Sequence, residues 1–117
     1  MLKLALIGLI GLFFVLNGLN HLFNTMILEE YAHRQRLPRP RTLVQLSGVL
    51  LIAGGIGFVI PATRQAAVIG LCVFLALASV LIHHFWTDHD RDTKLYEMLQ
   101  FSKNLLIMVE LVYIGFA

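Results

Sequence analysis

Charge is scarce in this sequence. Charged residues make up 14% of the chain, whereas soluble domains carry roughly 25%, so the composition argues against a soluble fold. The net charge is only +2, well short of the basic footprint of a nucleic-acid binder, and no nucleic-acid partner is expected. Cysteine is scarcer still. The single one, Cys72, lies inside an apolar run. That excludes an intramolecular disulfide and argues against a thiolate zinc site. It also sets the chain apart from four-helix membrane thiol oxidoreductases, which need paired cysteines. Linkers and low-complexity stretches are missing, and 117 residues leave room for a single domain, 1–117.

What the sequence has instead is apolar residues, 58% of the total, gathered into four runs. These extend over about 4–23, 43–60, 66–86 and 101–117, with 20, 18, 21 and 17 residues. Roughly 20 apolar residues cross the hydrocarbon core as a helix. The expected fold is therefore all-α: an integral membrane four-helix transmembrane bundle, multi-pass, with the lipid bilayer as its first partner. The start of the chain, Lys3 followed by apolar residues, has the look of a signal peptide. The apolar run continues to Phe23 without a small-residue cleavage pattern, so it is read as the first span.

The connections differ in character. Residues 24–42 hold Glu29, Glu30, His33, Arg34, Arg36, Arg39 and Arg41, and their first half is expected to form a short interfacial helix that Pro38 and Pro40 end. Residues 61–65 make a tight turn. The third connection, 87–100, is charged, and the fourth helix is given an alternative start near Thr93 with Asp92 or Thr93 as its N-cap. Four spans put both termini on one face and both long connections on the other. The long-connection face carries seven Arg and Lys, against Lys3 and Arg64 opposite, which favours a cytoplasmic location for it.

Polar residues within the spans converge on that same end. Asn17, Asn20, His21 and Asn24 follow i, i+3, i+4, i+7 and share one helix face; lipid offers them no hydrogen bonds, so the face is expected to point inward. Cys72, Ala76, Ser79, His83 and Trp86 form a second such stripe. Gln45, with Gly48 and Gly55 along its side, opens the second span, and Lys103 and Asn104 open the fourth. Helix direction brings these groups to one depth. The expectation is a polar pocket of Asn17, Asn20, His21, Gln45, His83, His84, Lys103 and Asn104 beside the long connections. His83 and His84 are about 100° apart around the helix, so one of them is to face inward. Glu110, near mid-membrane, is expected to be a buried acid, hydrogen-bonded or neutral. No acidic residue has metal-ligand spacing relative to the histidines, and no metal is assigned.

Six short segments, in order, carry a resemblance. They are Asn17-Gly18-Leu19-Asn20-His21-Leu22, Leu37-Pro38-Arg39-Pro40, Leu46-Ser47-Gly48, Thr63-Arg64-Gln65-Ala66-Ala67, His84-Phe85-Trp86 and Phe101-Ser102-Lys103-Asn104-Leu105. Together they cover nearly the whole chain, and the sequence resembles the DoxX-like family of small four-helix membrane proteins. The resemblance implies a membrane bundle but no single activity. Members are linked to thiosulfate oxidation coupled to quinone and to membrane complexes that counter oxidative stress; distant relatives look like receptor-assembly chaperones and cargo receptors. The family's first helix commonly ends in lysine where this chain has His21, and its fourth helix is often small and glycine-rich where this chain has Glu110. It carries no haem signature, so haem is not expected.

Two readings of function follow. The first is an accessory or assembly subunit, packed against other membrane protein subunits or its own copy, since no motif supplies a redox centre. The second is a quinone-interacting oxidoreductase component using the polar end, quinone being the one cofactor that end would suit. The first is preferred, in a prokaryotic plasma (inner) membrane, and catalysis is not expected.

Overall fold

The computed structural model describes residues 1–81, 83, 86 and 90–116. Among these residues there are helices and no strand. α1 is Leu2–Phe23, α2 Thr25–Arg34, α3 Pro40–Val59, α4 Arg64–Leu81 and α5 Arg91–Phe116; a 3-10 turn, Pro61–Thr63, joins α3 to α4. Four of them are long and apolar enough to cross a membrane: α1, α3, the turn with α4, and α5.

The breaks have local causes. Asn24 departs from helical geometry, and the Thr25 hydroxyl donates to the carbonyls of His21 and Leu22, both at 2.8 Å. That redirects the chain into α2. A short helix therefore forms in the first half of the connection as expected, but it ends at Arg34, ahead of Pro38 and Pro40. Pro40 takes the first position of α3, where its missing N–H costs nothing. Between α3 and α4, Arg64 donates from Nε to Phe58 O at 2.8 Å and from Nη2 to Val59 O at 3.0 Å, so its charge satisfies carbonyls at the negative end of α3.

The fourth span begins ten residues earlier than the apolar run. Asp90 Oδ2 accepts from the backbone N–H of Thr93 at 3.0 Å and from its hydroxyl at 2.9 Å, so Asp90, rather than Asp92 or Thr93, is the N-cap. The third span starts at the turn and its helix ends at Leu81, short of the expected 86; Ala117 lies outside the described residues.

In lipid, helix association rests on close packing rather than on burial from water. The α1–α3 crossing shows how close. Gly11 faces Gly55 and Gly18 faces Gly48 in antiparallel register: a Cβ on Gly55 would stand 2.7 Å from Gly11 O, and one on Gly48 3.0 Å from Gly18 O. Both glycine pairs are buried. The extensive pairings are α1 with α3, α3 with α4 and α4 with α5, with α2 against α3; α1 and α5 are not among them. The core on which the spans meet contains Ile7 and Phe14, Leu51 and Phe58, Leu71 and Leu75, and Leu111. Toward the end that carries α2, which we call the loop end, the helices leave a cavity.

Candidate functional site

The cavity measures about 480 Å3. Much of its wall is aliphatic: Leu43, Leu46 and Leu50 of α3 and Leu77 and Leu81 of α4 line it and are themselves exposed on the outer surface. Exposed leucines on spanning helices meet acyl chains, so the cavity opens toward the bilayer between the loop-end halves of α3 and α4. The remaining wall is polar.

One part of that wall is built on a buried carboxylate. Glu97, in the second turn of α5, is 1% exposed. Its Oε2 lies 2.7 Å from Nδ1 of His83, and its Oε1 accepts the hydroxyl of Tyr31 from α2. Both carboxylate oxygens thus accept, and His83 Nδ1 carries the hydrogen in this arrangement. Tyr31 and His83 line the cavity with Glu97 behind them. His83 is placed by a donation from its own N–H to Ala78 O, 3.2 Å, which ends α4. Among the described residues its Nε2 has no partner. Burial, then the hydrogen bond to Glu97 and its negative charge, hold the Tyr31 phenol well above its usual range, so it is a standing hydrogen-bond donor. The Arg34 guanidinium covers its ring at 5.6 Å, within cation–π range.

A second group comes from α1 and α3. The Ser47 hydroxyl donates to Val44 O at 2.7 Å, so its lone pair accepts from Nδ1–H of His21 at 2.7 Å. That fixes the tautomer and leaves Nε2 of His21 an acceptor. Asn17 spends its amide N–H on Phe13 O at 2.8 Å. On α5, Asn104 is buried and donates to Ser79 Oγ at 3.1 Å, while Lys103 stands exposed at the cavity wall.

Of the expected pocket, the structure brings together Asn17, His21, His83, Lys103 and Asn104. It does not bring Asn20 or Gln45. Asn20 lies about 100° around α1 from His21; it is exposed and accepts from the Asn24 amide, so the two satisfy each other at the helix end. Gln45 is about 60° from the Gly48 face that meets α1 and is exposed near the start of α3. His84 lies outside the described residues. Glu110 is not a buried acid: it is exposed on α5, because the buried positions of that helix are Glu97, Asn104 and Leu111 and Glu110 points about 100° away from Leu111. Glu97, Tyr31, Ser47 and Ser79 are site residues absent from the expected pocket. No group of three or more metal-binding side chains occurs among the described residues.

Residues 5–98 match the model of the DoxX-like family. The chain belongs to the DoxX-like family. It is accordingly a multi-pass membrane protein, as the four spans also indicate. No curated protein and no solved structure matches it. The DoxX-like match takes in α1 to α4 and the first turns of α5, including Tyr31, His83 and Glu97. Lys103, Asn104 and Glu110 lie beyond it.

Proposed function

We propose that the protein holds a lipid-soluble molecule with an oxygen-bearing polar head, of the quinone class, in the loop-end cavity. In this reading it serves as the binding component of a membrane redox system in a prokaryotic inner membrane. The observation that carries the reading is the division of the cavity wall. Exposed leucines of α3 and α4 form the side open to acyl chains; Tyr31, His83, His21 and Lys103 form the polar side. A molecule that partitions into the bilayer enters through the first and places its head at the second. Lys103 donates to a carbonyl oxygen, and Tyr31, whose hydrogen is held by Glu97, offers only an oxygen lone pair; His83, backed by Glu97, accepts a proton at Nε2 from a hydroxyl of the head and returns it as the carbonyl is reduced. The residues supply binding and proton handling, and electrons come from a partner.

The test is purification in a gentle detergent, solvent extraction and mass spectrometry, followed by titration with a short-chain benzoquinone. Saturable binding is expected, with Lys103→Met weakening it about tenfold through the loss of one charge-assisted bond. Recovery of no quinone together with no saturable binding rules the reading out. The accessory-subunit reading retains one observation of its own: the surface of α5 carries an exposed carboxylate at membrane depth.

A further inference from the structure

That carboxylate is Glu110. It lies seven residues beyond Lys103, a rise of about 10 Å into the apolar part of α5. Away from their ends, the outward faces of the other three spans present only apolar side chains: Leu9, Leu12 and Leu16 on α1, Val49 and Ile56 on α3, Ile69 and Val73 on α4. An acid facing acyl chains without a hydrogen-bond partner is costly, and polar side chains at such positions act as glue between helices.

The surroundings of Glu110 indicate which helix covers it. Leu99, Leu106, Glu110 and Tyr113 are spaced i, i+7, i+11, i+14, within about 60° of one another on the helix. Leu99 is 60% exposed, Leu106 65% and Tyr113 76%. The opposite face, with Glu97, Asn104 and Leu111, is the one buried against the bundle. The outward stripe is thus a seam at coiled-coil spacing with nothing on it. It carries one acceptor, Glu110, and one phenolic donor, Tyr113, a turn apart. A two-fold axis along the membrane normal requires a patch that complements itself, residue i meeting j and j meeting i. Long helical side chains lean toward the N-terminus, which brings the Tyr113 hydroxyl back to the level of Glu110 on a parallel neighbour.

We propose that the protein forms a two-fold dimer through α5, with the Tyr113 hydroxyl of each copy donating to the Glu110 carboxyl of the other and Leu99 and Leu106 packing along the seam. This surface is separate from the cavity and does not depend on what the cavity holds.

The test uses the full chain in vesicles and in micelles. In a Cys72→Ser background, Leu106→Cys is expected to form an oxidative cross-link several-fold more efficiently than Val73→Cys on the outer face of α4. Dilution in micelles, followed by energy transfer between labelled copies, gives the dimer constant. Glu110→Leu and Tyr113→Phe each remove two symmetry-related hydrogen bonds and are expected to weaken the dimer about five- to tenfold. Glu110→Gln keeps an acceptor and should stay within about twofold of the parent. Apart from Cys72, which is partly buried and shared by every variant including the reference, these positions lie on the outer surface, so the monomer fold is not at stake in the comparison. A monomer at every dilution, with lipid or another subunit covering Glu110, overturns the proposal. So does cross-linking at Val73→Cys equal to that at Leu106→Cys, or a dimer constant unmoved by both Glu110→Leu and Tyr113→Phe.

Discussion

Glu97 is the residue whose replacement separates the arrangement described here from ordinary packing. Glu97→Ala leaves the Tyr31 hydroxyl and His83 Nδ1 without their partner. An orphaned polar group costs about 1–3 kcal/mol. The His83 side chain retains 16% exposure, so the lower half of that range applies, and two groups give about 2–4 kcal/mol. Glu97→Gln keeps the shape. Its amide oxygen accepts from Tyr31 and its NH2 donates to His83 Nδ1, provided the ring hydrogen moves to Nε2. Only the charge-assisted part of the two bonds is lost, about 1 kcal/mol. Unfolding in mixed micelles measures both costs, and nitrogen chemical shifts of labelled His83 report the tautomer. A cost for Glu97→Ala no larger than that for Glu97→Gln would refute the reasoning. A His83 ring that keeps Nδ1–H in the Gln variant would do the same.

Two further outcomes follow from the fold. Gly18→Ala places a Cβ 2.5 Å from Gly48 O and 2.9 Å from Ile52 N; backbone atoms cannot step aside, and thermal unfolding in micelles should show a loss of about 1–3 kcal/mol, whereas Gly8→Ala meets nothing within 4 Å and should be neutral or stabilising. Tyr31 holds its proton more tightly folded than unfolded; an unfolded phenol titrates near 10, so its contribution is fully present below about pH 10 and is lost as pH rises beyond that, and alkaline unfolding of Tyr31→Phe should lack that part of the slope.

The spans were legible because lipid imposes a length and a composition on any helix that crosses it. Gly48 and Gly55 marked a helix contact for the same reason. His21, His83, Lys103 and Asn104 were found from helix direction, which sets depth without any knowledge of packing. Azimuth was harder. Asn20 and Gln45 share the depth of the site, but a rotation of only about 60–100° separates facing the cavity from facing away, and sequence spacing alone does not say where the neighbour lies. Glu97 was missed because the run 91–97 is polar and was assigned to a connection. The signal existed: Asp90 and Thr93 form a cap, and with the helix begun there, Glu97, Asn104 and Leu111 fall seven apart on one face. Glu110 was misplaced by the assumption that an acid in a span must face inward; the buried face of α5 runs through Glu97, Asn104 and Leu111 instead.

The packing order of the spans has a consequence for how the protein is made. Each span rests on the one before it: α3 on α1, α4 on α3, α5 on α4, with no extensive pairing that joins last to first. Each helix leaving the insertion machinery therefore finds its docking surface already in the bilayer, and the glycine-locked pair forms first. The polar site runs on the opposite schedule. Tyr31 and His83 arrive with the early helices, and their shared carboxylate arrives with the last one. Until α5 is inserted, the cavity wall holds a phenol and an imidazole with nothing behind them, so the polar wall takes its described form only once α5 is in place.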